Sequence, residues 1–289
     1  MREHKYAHEV RSAIVAVVVA VIVLVGIIGY AVVGFAYTST RIASADTSLN
    51  AVISHQNNLN STFKDIDKQF NGLSSSSTFN PTQSRVAVDQ FIANAKGART
   101  MADQDDASLV SARAGLEAQK WLTAFSRTGL DRESARIGHA RKALSNAKSI
   151  AVDYAKDGEF FKAFLDSLLD LDGTLALSAN GDIAGAKGTV PKLKTHVDSA
   201  LLLSTAPGLP SEIQTLMVDF ETLVADFGTL LDALAANDSP AIVTAGRAVE
   251  ADGTKIGSYD FTKMGLDIDA YYKPRVDAFN SEMTKATSA

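Results

Sequence analysis

The sequence predicts an all-α protein in which an N-terminal transmembrane helix continues into a stalk helix, followed by an antiparallel helical bundle. Three observations predict this fold class. A long uncharged, apolar run lies near the N-terminus, apolar residues elsewhere recur at helical spacing, and no segment alternates convincingly as a half-buried strand does. A short α-solenoid built from αα-hairpins is the alternative arrangement of the same helices.

The first predicted element is an uncharged run from Ser12 to Thr40, in which residues 13–37 are almost wholly apolar. A helix of this apolar stretch is roughly 37 Å long at about 1.5 Å per residue, which is enough to cross a hydrocarbon core of about 30 Å. Three basic residues precede the run, and only Arg41 follows it closely. The positive-inside rule therefore predicts a cytoplasmic tail over 1–11, a transmembrane helix over 12–40 and an extracytoplasmic remainder.

The alternative to an anchor is a cleaved signal peptide. Ala43-Ser44-Ala45 is a small-residue motif of the kind that signal peptidases cut, and cleavage after Ala45 would release a secreted domain. The apolar run is much longer than the roughly 7–15 residues usual in a signal peptide, so its length favours a retained anchor. Both alternatives export the rest of the chain.

The exported part is predicted to be helical throughout. A stalk helix over 41–73 ends in the Ser-rich loop 74–82, and a helical domain occupies 83–289. The clearest helix is 211–236, where ten apolar residues recur in steps of three and one on a single face. The other predicted helices are 83–102, 106–127, 131–156, 159–178, 182–203, 240–257 and 261–285.

Two helix ends resemble one another. The segments 177–182 (LSANGD) and 234–239 (LAANDS) each close an apolar helix and precede an Ala-rich one. A duplicated αα-hairpin would produce this resemblance. Helix-turn chemistry shared by two unrelated turns would produce it as well, and we favour that explanation.

Composition and charge exclude several classes of function. The chain has a net charge of -5 from 28 basic and 33 acidic residues. Residues 1–11 hold only three of the basic and two of the acidic residues, so the exported part is acidic. An acidic exported part argues against nucleic acid as a partner. The chain has no cysteine, which excludes disulfides, thiol catalysis and cysteine-ligated metals.

The segment Asp170-Leu171-Asp172-Gly173-Thr174 resembles the DxDGT motif of haloacid-dehalogenase-type phosphatases. The resemblance implies a nucleophilic Asp170, an acid/base Asp172 and a bound Mg²⁺. That family also places a hydrophobic strand before the first Asp and a second acidic pair downstream. Here the flanking residues keep helical spacing, and the residues after Gly181-Asp182 supply no second acid. We therefore keep a phosphatase only as a third hypothesis.

No metal site or cofactor site is predicted. Asp103, Asp105 and Asp106 suggest a calcium loop, but Ser108 and Ala114 replace the glycine and glutamate that an EF-hand needs, so a helix N-terminus is favoured. The five histidines do not form a zinc-binding pattern. They are His4, His8, His55, His139 and His196.

Aromatic residues mark two further segments. Trp121 shares a predicted helix with Leu116 and Leu122, so we expect it to pack in the core. In the last helix, Pro274 follows Tyr271 and Tyr272. A proline inside a helical pattern predicts a kink or a break, and the freed carbonyls could line a small pocket beside the tyrosines.

The densest basic segment of the exported part is the one candidate interaction patch that we assign. It could bind an acidic partner, a lipid headgroup or an envelope polymer, although such runs are more often solvated helix faces. It comprises Arg132, Arg136, His139, Arg141 and Lys142.

Two functional hypotheses follow. The first is a non-enzymatic, membrane-anchored interaction or accessory module that contacts the lipid bilayer and a protein partner or envelope component. The second is a ligand-sensing or ligand-binding helical bundle that signals through a partner. We assign no catalytic residue to either.

Overall fold

A computed structural model describes residues 27–55, 81–118, 120–124 and 126–288. Every regular element among these residues is helical, which confirms the predicted all-α class. A 3-10 turn at Lys120–Thr123 connects the second helix to the third. The α-helices are α1 (27–55), α2 (Pro81–Glu117), α3 (Arg127–Ala179), α4 (Ile183–Leu203), α5 (Ser211–Ala236), α6 (Ser239–Gly257) and α7 (Phe261–Ser288).

The predicted membrane span lies only partly within the described residues. Residues 27–40 form the first part of α1, whereas 1–26 lie outside the described residues. Within the part of the chain that the structure describes, no helix combines the length and the hydropathy needed to cross a membrane. The predicted stalk is helical over 41–55. The rest of the stalk and most of the Ser-rich loop lie outside the described residues.

The described chain divides into two compact units. Unit 1 comprises the chain up to His55, Gln104–Lys142 and the chain from Glu282. Its α1 and α2 are antiparallel, because Arg41 contacts Ala118 near the end of α2 while His55 contacts Asp105 further back. The core of unit 1 consists of apolar side chains from α1, α2, α3 and α7, each of which contributes roughly 2 kcal/mol when it is large and fully buried. They include Leu49, Val52, Leu109, Leu116, Ile137, Ala140, Met283 and Ala286.

Unit 2 comprises Gln56–Asp103 and Ala143–Ser281. Ion pairs show that two neighbouring helices of this unit are antiparallel. Lys187 pairs with Asp232 while Lys194 pairs with Glu221, so α4 and α5 run in opposite directions. The predicted all-α helical bundle is confirmed, and this helix pair has the antiparallel arrangement that we predicted. Its large, fully buried side chains include Leu144, Ile150, Phe160, Leu193, Met217, Leu231 and Phe279.

The two similar helix ends share one local structure. Gly181 and Asn237 both have a left-handed backbone, with φ of 81° and 54°. The aspartate that follows each of them caps the next helix, because Asp182 accepts from the Gly185 N–H at 2.8 Å and Asp238 accepts from the Ala241 N–H at 3.2 Å. Helix-turn chemistry is thus sufficient to explain the resemblance.

Several predicted helix ends are wrong. We predicted that a helix ends at 102 and that the next begins at 106, but α2 continues through Asp103–Asp106. Both interpretations of these acids, as a calcium loop and as a helix N-terminus, are therefore wrong. The breaks expected near Gly129 and Gly158 are absent as well, since both glycines lie inside α3. At Pro274 we predicted a kink or a break, and a break is excluded because α7 is continuous through this residue.

Candidate functional site

The structure gives three of the five residues of the basic segment intramolecular partners in unit 1. Arg136 is the most enclosed: it donates to Glu133 at 2.8 Å, to Asp46 at 3.1 Å and to the carbonyl oxygen of Ala286 at 2.9 Å. Burial favours a lower pKa of the Arg136 guanidinium, but the two carboxylates outweigh it and raise the pKa. Arg136 therefore joins α1, α3 and α7 within unit 1.

The rest of the basic segment is divided between paired and solvent-facing side chains. His139 contacts Glu282 at 2.7 Å, and its hydrogen bond together with that of Lys285 lowers the pKa of Glu282 to about 2. Arg141 donates to Asp106 at 2.6 Å. Arg132 and Lys142 are exposed. An interaction through this segment would therefore depend mainly on those two side chains, and the patch stays a prediction.

The phosphatase-like segment lies inside α3 of unit 2. Asp170 is held by two side chains of α4, with Lys192 at 2.7 Å from its Oδ1 and His196 at 2.7 Å from its Oδ2. Thr174 donates to the Asp170 backbone carbonyl as a residue in a helix interior commonly does, and Asp172 is exposed. The strand that precedes the nucleophile in the phosphatases is thus not formed here.

A buried acid in unit 2 is the most strongly perturbed carboxyl among the described groups. Asp157 on α3 is only 1% exposed. Tyr272 of α7 donates its hydroxyl to Oδ2 at 2.5 Å, while Oδ1 has no hydrogen-bond partner. Burial raises the pKa of Asp157 to about 7, although hydrogen bonds from Tyr272 and from the backbone N–H of Gly208 favour the anion. This carboxyl can therefore gain or lose a proton near neutral pH.

The turn between α4 and α5 approaches Asp157 closely. A Cβ at position 208 would collide with the Asp157 carboxylate and with the Tyr272 side chain, so only glycine fits without movement. The Tyr272 ring lies 4.2 Å from that of Tyr154, measured between ring centroids. The acid is thus approached by a backbone turn and by the Tyr272 side chain, whose ring packs on that of Tyr154.

A second carboxylate accompanies the first on the same face of α3. Asp153, four residues earlier, accepts from Arg275 of α7. Arg275 also donates to the Tyr271 hydroxyl at 2.8 Å and lies over the Tyr271 ring. The two tyrosines around which the sequence suggested a pocket are therefore engaged with carboxylate and guanidinium groups. We call Asp153, Asp157, Tyr271, Tyr272 and Arg275 the acid–tyrosine cluster.

The end of unit 1 at the 3-10 turn contains an exposed tryptophan. Trp121 is 68% exposed, so the expectation that it packs in the core is wrong. The cause is the turn itself: α2 ends at Glu117, and Trp121 lies in the 3-10 turn rather than on the core face of a longer helix. Beside this turn lies a small pocket of about 40 Å³, and its lining includes Leu116, Thr123 and Leu130.

No group of three potential metal-ligating side chains (His, Cys, Asp or Glu) with suitable geometry is present among the described residues. His139, His196 and His55 each contact a single carboxylate, namely Glu282, Asp170 and Asp105. None of these pairs is indicated by sequence spacing, because the partners lie 143, 26 and 50 residues apart.

Comparison with known proteins adds no assignment: no protein-family model, no curated protein and no solved structure matches this chain.

Proposed function

We propose that this chain is a membrane-anchored, extracytoplasmic helical protein that acts as a non-enzymatic interaction or accessory module at the cell envelope. The observation that carries the proposal is the change of environment along α1. Large apolar side chains at its start, such as Ile28 and Val32, are exposed, and further along the helix an apolar stripe that includes Leu49 and Val52 is buried in unit 1. One continuous helix thus connects an apolar run of the sequence to the folded unit without a linker.

The exposed part of α1 has the character of a lipid-facing surface. Phe35 is 55% exposed, and four aliphatic residues on the preceding two turns are exposed to a similar degree. Water does not favour so many large apolar side chains on one short segment, whereas a hydrocarbon environment does. The four are Ile27, Ile28, Val32 and Val33.

The buried part of α1 supports retention of the anchor over cleavage after Ala45. Ala45 is 2% exposed in the middle of α1, where its peptide bond is helical. Cleavage there would remove Arg41, which donates to carbonyl groups at the end of α2, and Thr38, which hydrogen-bonds Ser126 at 2.6 Å. Unit 1 would lose part of its own structure, so the secreted form is the less favoured alternative.

The absence of an assigned chemistry is consistent with an interaction role. Within unit 2, charged side chains contact other charged or polar side chains of the same unit, as Asp170 contacts His196 and Asp153 contacts Arg275. Two exposed cations of the basic segment, Arg132 and Lys142, are the side chains that we propose for contact with an acidic protein partner or envelope component.

Crosslinking in native membranes tests this interaction role. A photoreactive amino acid replaces Arg132 in one variant and Lys142 in another, and Ala251, an exposed residue of α6, provides the control position. We expect one reproducible protein or polymer adduct from the two basic positions and no such adduct from position 251. Equal adducts from all three positions, or none, would contradict a specific contact through the basic segment.

A ligand-sensing bundle is the second candidate, and the acid–tyrosine cluster favours it. A buried carboxyl with a pKa of about 7 and one oxygen free of hydrogen bonds changes its charge under ordinary conditions. Protonation would alter the contact between α3, α7 and the turn at Gly208. In this hypothesis the bundle signals through a partner. The phosphatase stays a third hypothesis, which the helical setting of Asp170 makes still less favoured.

A further inference from the structure

The 3-10 turn between α2 and α3 is fixed against the beginning of α1. The carbonyl oxygen of Leu122 lies so close to Gly34 that a Cβ there would collide with it. Ser126, just after the turn, is 2.6 Å from Thr38. Arg41 donates to the backbone carbonyl of Ala118 at 2.6 Å and to that of Gly115. The turn therefore lies alongside residues 34–41 of α1.

Residues 34–41 are also where the apolar run of the sequence ends. The run reaches Thr40, and Arg41 is the first charged residue after it. At about 1.5 Å per residue, Gly34 lies only about 10 Å along α1 from Arg41. A polar interface of roughly 5–8 Å borders each side of the hydrocarbon core. A turn held beside residues 34–41 is therefore at interfacial depth whenever α1 spans a bilayer.

The side chain that this turn exposes is suited to that depth. Trp121 is the chain's only tryptophan and is 68% exposed. An indole has an apolar body and one polar N–H, and tryptophan is enriched at membrane–water interfaces for this reason. Two arginines next to the turn are paired with nearby acids, Arg113 with Glu117 and Arg127 with Asp131.

We propose that the α2–α3 turn is a second membrane contact, in which Trp121 inserts into the lipid interface beside the α1 anchor. This inference rests on the proposed anchoring of α1. The turn follows the anchor by about 80 residues in the chain, so the fold rather than the sequence brings the two together. The contact would fix unit 1 at the membrane surface through two points instead of one.

Fluorescence of the single tryptophan tests the proposal directly. The full chain is reconstituted into phosphatidylcholine vesicles, with and without acyl chains brominated near the headgroup. We expect the protein to float with the vesicles, with Trp121 emission shifted to shorter wavelength, quenched at least twofold by the brominated lipid and protected from aqueous iodide. If the protein floats but its tryptophan emission is quenched by iodide and not by brominated lipid, the proposal is overturned, while the proposed α1 anchor is retained. Protein that does not float would overturn both.

A matched variant separates interfacial insertion from general proximity to the bilayer. In Trp121→Phe/Val110→Trp the single tryptophan moves to an exposed position on α2 of the same unit. Position 110 lies about 12 Å along α2 from Ala118, away from the turn. We expect this tryptophan to be accessible to iodide and not quenched by bromine. Equal bromine quenching at both positions would overturn the specific role of the turn. Circular dichroism of both proteins verifies that the helices are retained.

Discussion

Asp157 is the residue whose buried surroundings most strongly change its acid–base chemistry. Its side chain is almost fully enclosed, it receives the Tyr272 hydroxyl, and its second oxygen has no hydrogen-bond partner. Desolvation therefore dominates and raises its pKa to about 7. Because the folded state holds this proton more tightly than the unfolded chain does, ionisation of Asp157 opposes folding.

The first prediction concerns the pH dependence of stability. Between about pH 4 and pH 7 the native Asp157 is protonated while its unfolded form is ionised. Its contribution to the free energy of unfolding should therefore fall as pH rises through this window, by at most about 1.4 kcal/mol per pH unit, and level off above it. Asn mimics the protonated acid, so Asp157→Asn should lack this fall. Denaturant unfolding of both proteins from pH 4 to pH 8 measures the difference.

Neighbouring charges set the control for that measurement. Asp153 and Lys156 affect the pKa of Asp157, and Arg275 pairs with Asp153. All three residues are present in both proteins, so their own contributions cancel in the comparison. Parallel pH profiles for the native chain and Asp157→Asn would show that Asp157 does not carry a shifted pKa. That result would also remove the observation that favours the sensing role.

At the scale of the elements, the predicted helix bounds agree with the observed ones where local sequence signals end the helix. The bounds of α5 match the predicted 211–236, because Pro210 precedes the helix and Asn237 ends it through local backbone chemistry. The same holds within one residue for α4 and α6, where Asp182 and Asp238 are caps. Local signals suffice at these ends.

The bounds of α2 and α3 could not be predicted in this way. The acidic residues that suggested a stop in α2 are stabilised by partners distant in sequence, as when Asp105 contacts His55. Gly158, which suggested a stop in α3, instead permits close approach of Phe91 and Ile92, which lie on α2. Tertiary contacts decide these positions. The same is true of the acid–tyrosine cluster, whose Asp157 and Tyr272 are 115 residues apart.

The second prediction concerns the cap of α6. Replacing Asp238 with Ala removes the side-chain oxygen that accepts from the Ala241 N–H, which should cost about 1 kcal/mol. Amide hydrogen exchange in the first turn of α6 should then be about fivefold faster, as measured by mass spectrometry of peptides covering 239–245. Asp269→Ala, at an exposed helical position in α7, is the control and should leave that exchange unchanged. Unchanged exchange in Asp238→Ala would show that the cap does not hold the turn.

At the scale of the whole molecule, the proposed function depends on the membrane anchor. The apolar run, the exposed apolar side chains at the start of α1 and the apolar stripe of α1 that is buried in unit 1 all support the proposal of an exported domain that begins at the membrane surface. The proposed insertion of Trp121 and the proposed partner contacts through Arg132 and Lys142 have meaning only in that setting.

Thiol labelling of single-cysteine variants tests this central claim most directly, because the chain has no native cysteine. Ala7→Cys places a thiol in the predicted cytoplasmic tail, and Ala251→Cys places one at an exposed position of α6. Intact cells are treated with a membrane-impermeant maleimide, and the membranes are then extracted at alkaline pH. We expect the protein to stay in the membrane fraction. The thiol at 251 should be labelled in intact cells, and the thiol at 7 only after permeabilisation. Protein labelled at 7 and shielded at 251, or found in the medium without its first 45 residues, would contradict the account.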